Sequence, residues 1–153
     1  MDDATREKLG PPDIKLGSLQ IWIHGRQFPD LHDFWDGNWI RVTAHCGSAG
    51  ASVWVSGPII HLPEIERWRA QTVKLQDRLT GEAALACMEP ELSVSLKAQS
   101  LGHIAMEVSI TPDNLNQRHW FNFEIDQSYL SALISECGKI LDACPIRGER
   151  PCS

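Results

Sequence analysis

The sequence predicts one α+β domain, built on a mostly antiparallel sheet of about seven strands, curved or in two layers, with two amphipathic helices. Three observations predict it. Apolar and polar residues alternate along six segments, as in half-buried strands. Most neighbouring segments are joined by links too short for a parallel crossover. Two further segments show helical spacing instead. A chain of 153 residues also fits a single domain.

The two ends differ in composition from the rest. Residues 1–12 carry mixed charges and finish in Gly10-Pro11-Pro12, which predicts a flexible N-terminal arm. Residues 146–153 follow a helix stop at Pro145 and predict a C-terminal tail. Residues 13–145 are left as the single α+β domain.

Six strands are predicted from period-two alternation, in which every second side chain turns to the same side. A seventh is predicted over Ala83–Met88, although alanine is a poor strand former. The six segments are Leu19–Ile23, Trp39–Cys46, Ser52–Ser56, Leu92–Gln99, Ile104–Ile110 and Trp120–Asp126.

Helical spacing is found over Pro63–Leu79 and Ser128–Cys144. In the first segment Ile65, Trp68 and Leu75 fall on one face, which predicts an amphipathic helix. The second has a similar stripe of leucine, isoleucine and cysteine. The order of strands, helix, strands, helix hints at two similar halves, although no residue-level similarity supports a duplication.

Composition narrows the class of protein. The content is 42% hydrophobic and 22% charged residues, which is typical of a globular chain. The net charge of −6 disfavours nucleic acid and favours a basic protein partner. A polar N-terminus and short apolar runs predict neither a signal peptide nor a membrane partner. Five widely spaced cysteines fit reduced thiols in a cytoplasmic protein.

Tryptophan is the most unusual feature of the composition, with six residues. Four of them fall on the strand face opposite the aliphatic side chains. They could form an aromatic binding surface, fill a second core, or mediate homo-oligomer contacts. The candidate partner-binding residues are Trp22, His24, Trp39, Arg41, Trp54, Trp120 and Glu124.

A second candidate site lies between the first two predicted strands. Asp30, His32, Asp33 and Asp36 supply three carboxylates and an imidazole within seven positions. Their spacing matches no calcium loop, and Asp is also favoured in turns because it bonds the local backbone. No catalytic or cofactor motif is recognised, so no cofactor is predicted.

Three pieces of the sequence resemble a known family. They are Asn38-Trp39-Ile40-Arg41-Val42, Glu89-Pro90-Glu91-Leu92 and the run from Phe123 to Leu130. In this order they resemble small bacterial proteins of the WapI-like immunity family, over roughly residues 14–145. The resemblance implies a protein that neutralises a cognate toxin by binding it, without turnover of its own.

The leading hypothesis is therefore a non-catalytic protein-binding domain; in the form that the resemblance implies, it is an immunity protein whose partner is a basic toxin. The alternative is a small-ligand-binding protein or enzyme that uses the tryptophan-rich sheet face. A pocket lined by those tryptophans with converging polar groups would favour the alternative.

Overall fold

The computed structural model describes residues 2–152 and confirms the α+β class. Over these residues eight strands form two four-stranded antiparallel sheets. The first sheet contains β1 (Ile14–Leu16), β2 (Leu19–Arg26), β3 (Trp39–Ser48) and β4 (Ala51–His61); the second contains β5 (Glu82–Ala86), β6 (Leu92–Ala98), β7 (His103–Ile110) and β8 (Trp120–Asp126). The helices are α1 (Asp3–Glu7), α2 (Leu62–Arg78) and α3 (Ser128–Ala143).

The two halves share one topology. Each consists of a four-stranded meander, with neighbouring strands paired in chain order, followed by a long helix. Helices α2 and α3 pack against each other, and α3 also contacts β1. The strand-then-helix repeat seen in the sequence is thus a repeat of architecture.

Besides helix α1, strand β1 is an element that the sequence pattern did not predict. It pairs Ile14 with Ile21 and Leu16 with Leu19 through the two-residue turn Gly17-Ser18. Gly17 has a φ of 56°, a backbone conformation that favours glycine at the first position of such a turn. Three residues are too few for alternation to stand out, so only the turn signalled a hairpin here.

Strand β4 is longer than predicted, because it continues through Gly57 and Pro58 as far as His61. A proline cannot donate a ladder hydrogen bond and is confined to edge strands or bulges. Here β4 is an edge strand, and the register with β3 shifts between the pairs Ile40–Ile60 and Val42–Gly57. Both conditions for the proline are met.

A single apolar core joins the inner faces of the two sheets and the apolar sides of α2 and α3. Trp68, on α2, is its largest fully buried side chain. Cys46 and Cys137 are also fully buried. Burial raises the pKa of the Cys46 thiol to about 11 and that of Cys137 to about 12, so both pack as neutral small hydrophobes.

Local chemistry fixes the helix ends. The Glu64 carboxylate accepts a hydrogen bond of 2.7 Å from the backbone N–H of His61, which completes a capping box at the start of α2. Leu79, with a φ of 51°, ends the helix in a left-handed conformation. Gly81, with a φ of 92°, follows two positions later.

Gly138 inside α3 has a packing reason. A side chain there would approach Arg69 of α2, whose Nε lies 3.3 Å from the position of an added Cβ. That Nε donates to the Ile134 carbonyl at 3.1 Å. The glycine, which costs a helix about 1 kcal/mol relative to alanine, lets this arginine cross close to the backbone.

Asn38 links the loop between β2 and β3 to the C-terminal tail. Its side chain is fully buried. The amide nitrogen donates to the carbonyls of Phe34 at 2.7 Å and Arg147 at 2.9 Å. The amide oxygen accepts from the Arg147 N–H at 2.8 Å and from Arg26 at 3.3 Å. The Asn38 side chain therefore makes four hydrogen bonds. Three of them join this loop to strand β2 or to the C-terminal tail.

Among residues 2–152, the helices are too short or too polar to cross a membrane.

We expect Asn38→Asp to destabilise the fold by about 2–3 kcal/mol, because a carboxylate cannot donate to the two carbonyl oxygens that the amide satisfies. Urea unfolding at neutral pH measures the change. Asn114→Asp, at an exposed loop position, is the matched control and should alter the free energy of unfolding by less than about 0.5 kcal/mol. Equal effects of the two substitutions would contradict the assigned role.

Candidate partner-binding surfaces

The outer face of the first sheet, called the first-sheet face below, is partly aromatic. It is formed by the side chains of β2, β3 and β4 that point away from the core. Trp22 and Trp54 stack there with ring centroids 5.7 Å apart and an interplanar angle of 18°. They come together across strand β3. Trp22 pairs with Thr43 of β3, and Trp54 pairs with His45, which lies two positions further along β3.

A short polar chain crosses the first-sheet face beside the tryptophans. The imidazole Nε2 of His24 lies 2.8 Å from the Thr43 hydroxyl, and this hydroxyl lies 2.7 Å from that of Ser56. Ser56 in turn donates to the Val42 carbonyl at 3.4 Å. The predicted site residue His24 is therefore engaged within the sheet.

His45 lies next to the aromatic stack. Its ring is tilted over that of Trp54, with centroids 4.3 Å apart. Its nitrogens contact the side chains of Gln20 at 3.3 Å and Ser52 at 2.8 Å. Burial, followed by the positive charge of Arg6, lowers the pKa of His45 below its usual value. The imidazole is therefore held in its neutral form.

The arm, residues 2–12, lies on the first-sheet face. The Arg6 guanidinium carbon is 4.7 Å from the centroid of the Trp54 ring. The indole N–H of Trp22 donates to the Gly10 carbonyl at 2.9 Å. These contacts leave Trp22 only 7% exposed. Whether the arm is flexible in solution stays a prediction.

Trp39 belongs to a different aromatic cluster, at the end of the first sheet. Its ring lies 4.8 Å from that of His61, which also stacks on Trp35. A cavity of about 340 Å³ opens beside this cluster, between Trp35, His61, Met88 and Arg150. The C-terminal tail thus forms one side of the cavity.

The outer face of the second sheet, called the second-sheet face below, carries small side chains and carboxylates. Ser93, Ser95, Ala105 and Ser109 form its centre, on β6 and β7. Trp120 is 58% exposed at the edge strand β8. Exposed charged or titratable side chains surround the centre. The carboxylates are Glu82, Glu107, Glu124 and Asp126, and the other two residues are Lys97 and His103. The face is therefore acidic.

The structure divides the seven predicted partner-binding residues among three places. Trp22, His24, Arg41 and Trp54 lie on the first-sheet face, and Trp39 lies in the aromatic cluster with His61. The remaining two, Trp120 and Glu124, lie on the second-sheet face, where the Glu124 carboxylate is 2.8 Å from His103. They do not form one continuous surface. Which of the three places meets a partner stays a prediction.

The candidate metal residues form a turn. Asp33 accepts a hydrogen bond of 2.8 Å from the backbone N–H of Asp36, as expected of an aspartate in a tight loop. Asp30 and His32 are exposed nearby. Within the described part of the chain, residues 2–152, no three His, Cys, Asp or Glu side chains converge as a metal site would require.

Two features of these surfaces were not predicted as such from the sequence: the second-sheet face as a whole and the contact of the arm with the first-sheet face. The second-sheet face was signalled by the polar positions of three alternating strands, where Ser93, Ser95 and Glu107 occupy the side opposite the aliphatic residues. The contact of Arg6 with Trp54 had no sequence signal, because it joins segments that are far apart along the chain. Only the fold brings them together.

Comparison with known proteins decides the family. The model of the immunity protein WapI-like family matches residues 13–145. The chain belongs to this family. The resemblance seen in the sequence is thereby confirmed. The matched range leaves out the arm and the tail, so both lie outside what the WapI-like family model describes.

Similarity of fold extends further than similarity of sequence. The crystal structure of WHY3 from Arabidopsis thaliana superposes with a TM-score of 0.50 at 12% identity, covering 86% of this chain and 85% of that one. At this identity the likeness concerns the fold alone. A search of curated proteins finds no match.

We expect His45 to make the fold less stable as the pH falls from 7 to 5. The folded state resists protonation of His45, whereas the unfolded chain takes up the proton near pH ~6.5. His45→Gln removes this contribution, so the stability difference between wild type and variant should shrink as the pH falls. Urea unfolding at several pH values measures it.

His32→Gln removes an exposed loop histidine and controls for the loss of one titratable ring. Parallel pH profiles for wild type and His45→Gln would show that His45 is not held neutral by the fold.

Proposed function

We propose that this protein is an immunity protein that binds a basic cognate toxin through the second-sheet face and blocks it without turnover. Membership of the WapI-like immunity family supports a toxin-immunity role. We choose the outer face of β5 to β8 as the binding surface because it is acidic and its charged side chains are exposed. Its exposed carboxylates and the exposed Trp120 suit a basic protein partner.

Charge supports a basic partner. The chain has a net charge of −6, and four exposed carboxylates are concentrated on the second-sheet face around one lysine. Opposite charges across an interface raise the rate of encounter and fix the orientation of the partners. For an immunity protein a high association rate matters, because a free toxin does damage before it is captured.

Shape supports a broad contact. The serines and alanines in the centre of the second-sheet face are small, so a partner can approach the sheet closely, and cavities of about 430 and 170 Å³ open beside Ala105 to receive its side chains. Trp120, at the edge, is the one large aromatic side chain there and is 58% exposed. Tryptophan is enriched among the residues that dominate binding energy. An exposed tryptophan beside acidic groups is what an interface for a basic protein requires.

Co-expression tests the function. A chain produced together with the toxin encoded beside its own gene should co-purify with that toxin and restore growth of the host. A toxin that stays lethal and unbound in the presence of this chain would refute the immunity role.

Charge reversal tests the surface. We expect Glu107→Lys combined with Glu124→Lys to weaken toxin binding about tenfold or more, mainly by slowing association. The control, Glu66→Lys with Asp77→Lys, makes the same change of net charge at exposed positions of α2. Stopped-flow or surface plasmon resonance measures both. A larger loss in the control would move the interface away from the second-sheet face.

Trp120→Ala should also reduce affinity about tenfold, because it removes the proposed aromatic anchor. Leu115→Ala, at a side chain that is 88% exposed in a neighbouring loop, is the matched apolar truncation and should leave affinity unchanged. Calorimetric titration with purified toxin distinguishes the two. Equal affinities for all three proteins would exclude Trp120 from the interface.

A further inference from the structure

We propose that the toxin adds an extended segment to the open edge of β8, so that the four-stranded second sheet gains a further strand in the complex. The segment presents basic side chains on the second-sheet face and apolar side chains on the opposite side. That the partner is a toxin rests on the proposed function, which the added strand deepens by naming how the toxin binds. The contact lies at the margin of the same face, beside Trp120 and Glu124.

The two sheets end in four edge strands, and three of these edges are blocked. On β4, Pro58 and a register shift interrupt the edge. On β1, which packs against α3, the backbone N–H of Lys15 donates to the Glu136 carboxylate at 3.3 Å. On β5, which packs against α2, the N–H of Ala84 donates to the Gln71 side chain at 2.8 Å. In the described part of the chain, the fourth edge, β8, has no such device.

The backbone of β8 points alternately towards β7 and away from it, as in any antiparallel pair. The N–H of Gln127, directly after the strand, donates to the Gly102 carbonyl before β7 at 3.1 Å. Because the register is unshifted, the odd-numbered positions of β8 also bond to β7. The N–H groups of Asn122 and Glu124 therefore point to the open side. Among residues 2–152 no protein group accepts from them, so a strand of a partner can.

The side of β8 that faces the core is apolar and incompletely covered. Phe121 and Phe123 stack there with ring centroids 6.1 Å apart and an interplanar angle of 7°. Both are only half-buried. An added strand places every second side chain directly beside these rings, where aromatic and β-branched residues form favourable cross-strand pairs. The segment that fits is therefore apolar at alternate positions.

The other side of an added strand meets carboxylates. Glu124 and Asp126 are exposed on β8, and Glu107 is exposed on β7. His103, 2.8 Å from the Glu124 carboxylate, is the neighbouring titratable base, and Lys97 lies two strands away on β6. Opposite charges on paired residues stabilise a sheet, and like charges destabilise it. Basic side chains at the remaining positions of the segment are therefore favoured by the charges beside them.

The same charges disfavour a second copy of this chain on the edge. Pairing of two β8 strands would bring Glu124 and Asp126 of both copies onto one face, where like charges repel. A segment that alternates basic and apolar residues has no such conflict. The occupant that this edge fits is therefore a strand of a basic protein.

Amide hydrogen exchange of the full chain, followed by NMR, tests the edge. In the free protein we expect fast exchange at Asn122 and Glu124 and slower exchange at Phe121 and Phe123, since only the phenylalanines bond to β7. Toxin should slow exchange at Asn122 and Glu124 about tenfold or more. Toxin that binds and leaves both amides fast would overturn the added strand, while the immunity role stands.

Proline substitution tests the backbone contact. Asn122→Pro removes an outward N–H and keeps the bonds to β7, a position that an edge strand tolerates. We expect it to weaken toxin binding about tenfold, whereas Asn122→Ala, which keeps the N–H, should change affinity less than about twofold. Calorimetric titration measures both, after urea unfolding has shown that both fold. Equal affinities would contradict the strand contact, and the exchange data on wild type decide if the proline variant does not fold.

A peptide decides the edge if no toxin binds, an outcome that refutes the immunity role. We expect a blocked Lys-Val-Lys-Val-Lys peptide to shift the amide signals of Asn122 and Glu124. A methyl group on the backbone nitrogen of its central lysine should reduce the shifts about threefold, because it keeps the charge and removes a strand hydrogen bond. Equal shifts by the two peptides would overturn the proposal. So would a dimer of the free chain in which both amides are protected.

Discussion

Burial of one apolar face from each sheet in a single core is the constraint on which the rest of this structure depends. Neither four-stranded meander has a partner for its apolar side except the other meander and the two long helices. Because both inner faces are buried in this core, the two outer faces are left to contact solvent or a partner. The alternation along each strand therefore decides what the surface of the protein is made of.

The two outer faces have different characters, which suits different tasks. One is aromatic, carries hydrogen-bonded histidine and hydroxyl side chains, and is partly covered by the arm. The other is acidic and has small side chains at its centre. A basic partner approaching along the field of the protein meets the acidic face first, and cation–π contacts act only at short range. The acidic face is therefore the one that the electrostatic attraction of a basic partner favours.

Period-two alternation predicted six of the strands, a short apolar segment predicted a seventh, and helical spacing with Pro63 and Pro145 located both long helices. Strand β1 escaped because three residues carry too little pattern. The grouping of the tryptophans could not be predicted, since alternation says which side of a strand Trp120 occupies but not to which sheet the strand belongs. The contacts of Arg6 and Asn38 join segments that are distant in sequence, so no pattern of neighbouring residues predicts them.

Pro58 on the edge strand β4 has a consequence for how copies of the chain can meet. An open sheet edge is a template for another strand, and natural proteins blunt such edges with prolines and bulges. Both are present within a few residues of each other on β4. Continuous sheet formation between two chains is therefore disfavoured along this edge, and a chain held at high concentration beside its partner is protected there against fibrous aggregation.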